Sequence, residues 1–216
     1  MAIASITGDA IRVSKLAANG TILPGANSVY TFKNFISFSF TPEYEDGDEF
    51  TQKNAAGAVC ATFKAPDTLK RINISIAVCN PDPVIENLLG GGTLLGAGAG
   101  DTGPLGWSAP AVGSDPVPNG IALEVWSNAV EDSKPHPDTP KIHWIFPYAK
   151  LRASGERIIQ NDILATEFEG WAVGNAKFGA GPGAPAWPYP AESVKPYAYA
   201  LVDQVPVAGA SAGPTG

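Results

Sequence analysis

The chain has 216 residues, 44% hydrophobic and only 16% charged, with a formal net charge of −7 and a pI near 4.8. That length suffices for one β domain with a real core. The acidic balance argues against holding nucleic acid by phosphate neutralisation, and no apolar run approaches the length that spans a membrane. The charged fraction lies below the quarter typical of soluble domains. Two explanations remain open: a surface covered by neighbouring molecules, or long neutral loops rich in Gly and Ala. The first residues, Met1 to Asp9, lack the basic segment and apolar run of a secretory signal, so none is expected.

Asp9 to Leu16 reads as a first strand with Ile11 and Val13 on one face. Asn19-Gly20 and Leu23-Pro24-Gly25 then break the chain, and Ser28 to Lys33 is weakly strand-like. Phe35-Ile36-Ser37-Phe38-Ser39-Phe40 alternates with period two, which places Ile36, Phe38 and Phe40 on one face. Tyr44 to Lys53 is a further strand candidate, with the acids Glu43, Glu45, Asp46, Asp48 and Glu49 around its start. Gly57 to Lys64 and Leu69 to Cys79 flank Ala65-Pro66-Asp67-Thr68, a hairpin signal. Its expected core face is Val59, Ala61 and Phe63 with Ile72, Ile74, Ile76 and Val78. In that register Cys60 and Cys79 lie too far apart for a disulfide, and both are expected as free, mostly buried thiols.

One helix is expected. Asp82 suits the N-cap, Pro83 the first helical position and Glu86 the positive end of the dipole. Val84, Ile85, Leu88 and Leu89 form an apolar stripe, and Gly90 offers a left-handed stop. From Gly90 to Gly120, ten glycines and four prolines rule out a core strand, so this is a long loop, functional or ordered by a partner. Strands return at Ile121 to Trp126 and at Lys141 to Arg152. In the second of these Ile142, Trp144 and Phe146 point to the core and His143 away from it. Ile163 to Val173 and Pro196 to Val202 are the last strand candidates, separated by an irregular stretch from Ala176 to Pro190. Residues 207–216 read as a mobile tail beyond a single domain at 1–206. The sum is a mainly-β sandwich or barrel with one short helix and long Gly/Pro-rich loops.

A search for chemistry finds little. Gly98-Ala99-Gly100-Asp101-Thr102-Gly103 matches a dinucleotide fingerprint but lacks the strand before it and the helix after it. Ser108, in Gly106-Trp107-Ser108-Ala109-Pro110, resembles a nucleophile elbow without its strand-turn-helix setting. His136 and His143 are the only candidate bases, and neither has an evident orienting partner. His136, Asp138 and His143 do not match a metal-ligand spacing, and the acidic run is not a calcium loop. That run is either a solvated face or a partner contact. No catalytic residue, cofactor or metal is therefore expected. Trp126 lies opposite Leu123 and Val125, which makes it, with Trp107, a candidate for a subunit interface. Exposed Trp107, Trp126 and Trp187 also leave open a carbohydrate- or surface-binding sandwich module.

Several segments carry a family resemblance. They are the run from Phe35-Ile36-Ser37-Phe38-Ser39-Phe40 to Glu49-Phe50, Asn54-Ala55-Ala56-Gly57, Asp67-Thr68-Leu69-Lys70-Arg71 and Cys79-Asn80-Pro81-Asp82-Pro83. Leu88-Leu89-Gly90-Gly91 and Glu124-Val125-Trp126 complete the set. In order and character they resemble the major tail proteins of long-tailed phages of actinobacteria, over about residues 8 to 205. The resemblance implies a tail-tube protein with a β-sandwich or barrel-like core flanked by a helix. Such proteins form six-membered rings whose inner sheets join into a tube. The rings stack around a tape-measure protein, meet terminator and baseplate or tip proteins at the tube ends, and pass the genome through the lumen. On that reading the chain belongs to the virion tail, is assembled in the host cytoplasm and does not enter a membrane. Glu43, Glu45, Asp46, Asp48, Glu49, Trp107 and Trp126 are then candidates for the lumen or a subunit or ring interface, and an acidic lumen repels DNA phosphates.

Overall fold

Period-two alternation organises the first strand, β1 (Ala4–Lys15). Ile11 and Val13 point to one face and Ala10, Arg12 and Ser14 to the other, and all five are buried. Strand β2 (Gly25–Phe32) runs antiparallel beside it, with Ile11 opposite Phe32. The next four strands form one long excursion: β3 (Phe35–Glu45), β4 (Glu49–Lys53), β5 (Val59–Lys64) and β6 (Thr68–Cys79). Helix α1 (Pro83–Gly90) follows, then the short pair β7 (Thr93–Leu95) and β8 (Gly106–Ser108). The rest comprises β9 (Ile121–Glu131), β10 (Lys134–Pro135), β11 (Lys141–Ser154), β12 (Ala165–Val173), β13 (Ala198–Val202) and β14 (Gly209–Gly213). This computed structural model describes residues 3–80, 82–96, 103–159, 164–189 and 191–213.

The main sheet runs β14-β2-β1-β9-β11-β12-β6-β3, with β13 also pairing β11 and β10 pairing β9. It folds over at β11. Lys141–Ile145 lies between β9 and β13, whereas Tyr148–Ser154 pairs with β12. Pro147, which has no N–H to give a ladder, sits at the corner, where the register with β9 slips between Phe146 and Ala149. The two halves face each other across one core. Ile11, Val13, Phe32, Leu123 and Val125 meet Ile72, Ile74, Ile76, Val78 and Phe168 there. Phe38 and Phe40 pack on Phe146 with ring centroids 5.3 Å apart in each pair. This is the mainly-β, sandwich-like fold that the alternation predicts, with one α-helix among the described residues.

Helix α1 closes the core with Ile85, Leu88 and Leu89. Asp82 caps it, its Oδ1 accepting from Val84 N at 2.8 Å and Ile85 N at 3.4 Å. The stop comes one residue later than expected, at Gly91, whose φ is +74°. A Cβ there would lie 2.0 Å from Pro116 O, so the turn also needs glycine for the close approach.

Three other expectations are corrected. Ala65 to Thr68 is not a hairpin turn, because β6 pairs with β3 and β12, while β5 pairs with β4. The chain reverses instead at Asn54–Gly57, where Asn54 Oδ1 accepts from Ala56 N and Ala58 N. Pro66-Asp67 marks only a break in a continuous ribbon, and Val59, Ala61 and Phe63 are exposed while the β6 residues form the core. Cys60 is accordingly an exposed free thiol and Cys79 a half-buried one. Ile36 is exposed because a bulge between Phe35 and Ser37 turns it outward. Finally, the supposed tail is not all loose: β14 adds to the edge of β2, with Ala210 opposite Tyr30.

Candidate assembly surface

Beyond Phe40, the β3–β6 ribbon leaves the core. Glu45 pairs with Thr68, Ala65 N donates to Asp48 O, and Glu49 pairs with Lys64, so the two strands continue outward across the break. Asp67 secures the break by accepting from Gly47 N at 3.0 Å; that bond, with Lys64 nearby, holds its carboxyl below the usual range. From Thr41 to Lys53 the ribbon extends on the order of 40 Å at the usual rise per residue. Every residue of β4 and β5 is exposed. Phe50 and Phe63 lie directly opposite each other, so they share one face, and they are 64% and 63% exposed. A two-stranded ribbon without a covering layer is marginal in water.

The acids on this arm divide into two kinds. Glu43 is bound at the arm's root: Arg71 Nε donates at 2.6 Å and Asn73 Nδ2 at 3.0 Å, and Lys70 lies at 3.3 Å. The Arg71 bond in particular holds the Glu43 carboxyl below its ordinary range. Glu45, Asp46, Asp48 and Glu49 are exposed and flank the break. Behind the root, the outer face of the β3-β6-β12-β11 layer carries Ser39, Thr41, Asn73 and Ser75. Its cations there are matched by carboxylates, Arg152 with Glu169 at 2.7 Å and Lys150 with Asp115 at 2.5 Å. Trp171 borders the same groove, which encloses about 650 Å³.

The tryptophans are placed differently from expectation. Trp126 does point away from Leu123 and Val125, but that face is covered by the chain itself, and the side chain is 0% exposed. Residues 179–189 pass over it as a strap. Trp187, from the strap, is buried with Phe178, Ile145 and Ala200. His143 is likewise buried instead of facing solvent. It stacks on Trp126 at 4.0 Å, meets the edge of Trp187 at 5.2 Å, and places Nε2 3.0 Å from Glu124 Oε1. Arg12 completes the cluster with a two-pronged grip on Glu124 at 2.6 and 2.7 Å. The sequence signal for this covered face was the unbroken burial-prone run of β9, which has no solvent side; an irregular strap gives no periodic counterpart to it. Trp144 is half-buried, packed on Phe40 and Tyr199.

Trp107 is pinned against α1. Its indole N–H donates to Gly91 O at 2.7 Å and the Arg157 guanidinium lies over its ring. Ser108 is exposed on β8, whereas His143 is wholly buried under the strap. His136 Nδ1 accepts from Thr139 N at 3.1 Å, an arrangement that closes its Pro-rich turn. Of the Gly98–Gly103 match only Gly103 lies within the described residues. Among the described residues no group of three or more His, Cys, Asp or Glu is placed to hold a metal, and no helix is long and apolar enough to cross a membrane. No family model matches the chain, and no curated protein matches its sequence.

Proposed function

We propose that the chain is a self-assembling structural protein, a subunit of a phage tail tube built from stacked rings of identical copies. The observation that carries this reading is the arm. It holds two aromatic rings and two strand edges in solvent, and among the described residues of a single copy nothing covers them. Ordering each residue of such a ribbon costs roughly 1–2 kcal/mol of backbone entropy. Packing against a second molecule offsets that cost. An arm that leaves the core at one end and inserts into another copy makes a head-to-tail contact, which closes as rings or propagates as filaments. The exposed acids beside the break and the self-neutralised charges of the adjoining sheet face suit a wall along which a polyanion slides without being held. The resemblance supplies the remaining particulars: six-membered rings, a tape measure within, terminator and tip proteins at the ends, no catalysis and a place in the virion.

Negative-stain microscopy and sedimentation of the purified full chain test it. Rings or tubes are the expected species; a protein that stays monomeric at every concentration, and is missing from tails when tagged in a phage, rules the reading out. The alternative of a carbohydrate module has less support, since Trp126 and Trp187 are buried and the Trp107 N–H is engaged.

A further inference from the structure

The strap over Trp126 is held by polar groups that are themselves buried. Arg12, Glu124 and His143 are 3%, 0% and 0% exposed. Beyond its grip on Glu124, Arg12 donates from Nη2 to Pro185 O at 2.9 Å and from Nη1 to Ala184 O at 3.3 Å. Its guanidinium also lies 5.0 Å over the Trp126 ring. Gly181 backs directly onto the carboxylate: a Cβ there would stand 3.4 Å from Glu124 Oε1. One cation and one anion make the cluster neutral only while His143 is uncharged, with its Nε2–H donated to Glu124. Its Nδ1 then carries a lone pair with no partner among the described residues, and the Trp126 indole N–H beside it is also unpartnered.

We propose that Arg12, Glu124 and His143 form an acid-released latch that fastens residues 179–189 over the outer face of the β1-β9-β11 layer. A proton on His143 must go to Nδ1, where no acceptor waits among the described residues. It leaves the cluster with two cations for one carboxylate, inside a low-dielectric layer. The guanidinium is the group with a way out, because its other partners are strap carbonyls. When it moves to solvent the Ala184 and Pro185 bonds go with it, and the strap, Trp187 included, lifts from Trp126 and His143. The groups facing His143 are Glu124 from β9, Arg12 from β1, Trp187 from the strap and Ala200 opposite on β13. The Lys141–Asp9 ion pair lies two residues along β11. Burial, with a smaller push from Arg12, keeps the imidazole below its ordinary 6.5 despite the Glu124 bond. The unfolded or strap-open chain therefore takes up the proton first, so the closed strap is favoured above about 6.5 and loses ground as pH falls toward the lowered value.

Hydrogen exchange of the full chain, read by mass spectrometry and corrected for intrinsic rates, tests this at about pH 7.5 and about pH 5. The expected result is a tenfold or greater loss of protection confined to residues 179–189 at the lower pH, with β9 and β11 unchanged. In His143→Gln, whose amide still reaches Glu124 but takes no proton, the strap is expected to stay protected at both. Should that variant not fold, Arg12→Lys, which keeps the charge and loses the fork, is expected to loosen the strap already at the higher pH. Equal strap protection at both pH values overturns the latch. So does loss of protection in β9 and β11 together with the strap.

Discussion

Arg12 and Glu124 show how residue type and burial combine in this protein. They face each other on neighbouring strands, Arg12 opposite Glu124 in the β1–β9 register, on the face that alternation turns away from Leu123 and Val125. Burial alone pushes the Glu124 carboxyl up, but the His143 hydrogen bond and the Arg12 charge outweigh it and keep the group ionised. Removing one partner strands the other. Arg12→Met is expected to cost about 3–5 kcal/mol in urea unfolding, the usual penalty for an orphaned buried charge. The paired replacement Arg12→Met with Glu124→Leu is expected to recover most of that loss, because no charge is left in the layer. Equal losses in the single and double variants would show that packing, not charge pairing, sets the stability here.

The ribbon from Phe35 to Cys79 is one element with two environments. Its inner half alternates cleanly, Ile72, Ile74, Ile76 and Val78 inward against Asn73, Ser75 and Ala77. Its outer half alternates too, but both of its faces meet water. The same period therefore has different consequences depending on whether a second layer lies opposite. Phe50→Ser with Phe63→Ser removes apolar surface that stabilises nothing within one copy. The double variant is expected to melt within a few degrees of the parent, since surface changes are mostly within about 0.5 kcal/mol. Its assembly, followed by sedimentation, is expected to fall at least tenfold. Unimpaired assembly would remove the arm's aromatic face from the interface.

At the scale of the whole molecule, the sandwich and the arm separate cleanly. Glu45 and Thr68 are already opposite partners, so residues 46–67 can be replaced by a two-residue turn without disturbing the register beneath. The shortened chain is expected to fold, with thermal unfolding close to that of the parent, and to remain monomeric where the parent assembles. A shortened chain that still forms rings or tubes would place the decisive contacts on the sandwich itself, with the free edges of β3, β13 and β14 as the next surfaces to test.

Elements whose signal is local are legible along the chain. Helix α1 followed from Asp82, Pro83 and the Leu88-Leu89 stripe, and β1, β6, β11 and the class of fold followed from alternation, since capping and pleat depend on near neighbours. Which alternating runs meet, and which faces are covered, is settled by packing in three dimensions. Ala65 to Thr68 looked like a turn because Pro and Asp favour turns and breaks alike. Alternation turns Trp126 and His143 away from the one core that the strands share, and an irregular strap from 179 to 189 covers that other face. Composition marks the last residues as loose, yet 209–213 find a strand edge at β2. A strand's pairing partner and the lid over its outer face lie tens of residues away along the chain, and only contact in space selects them.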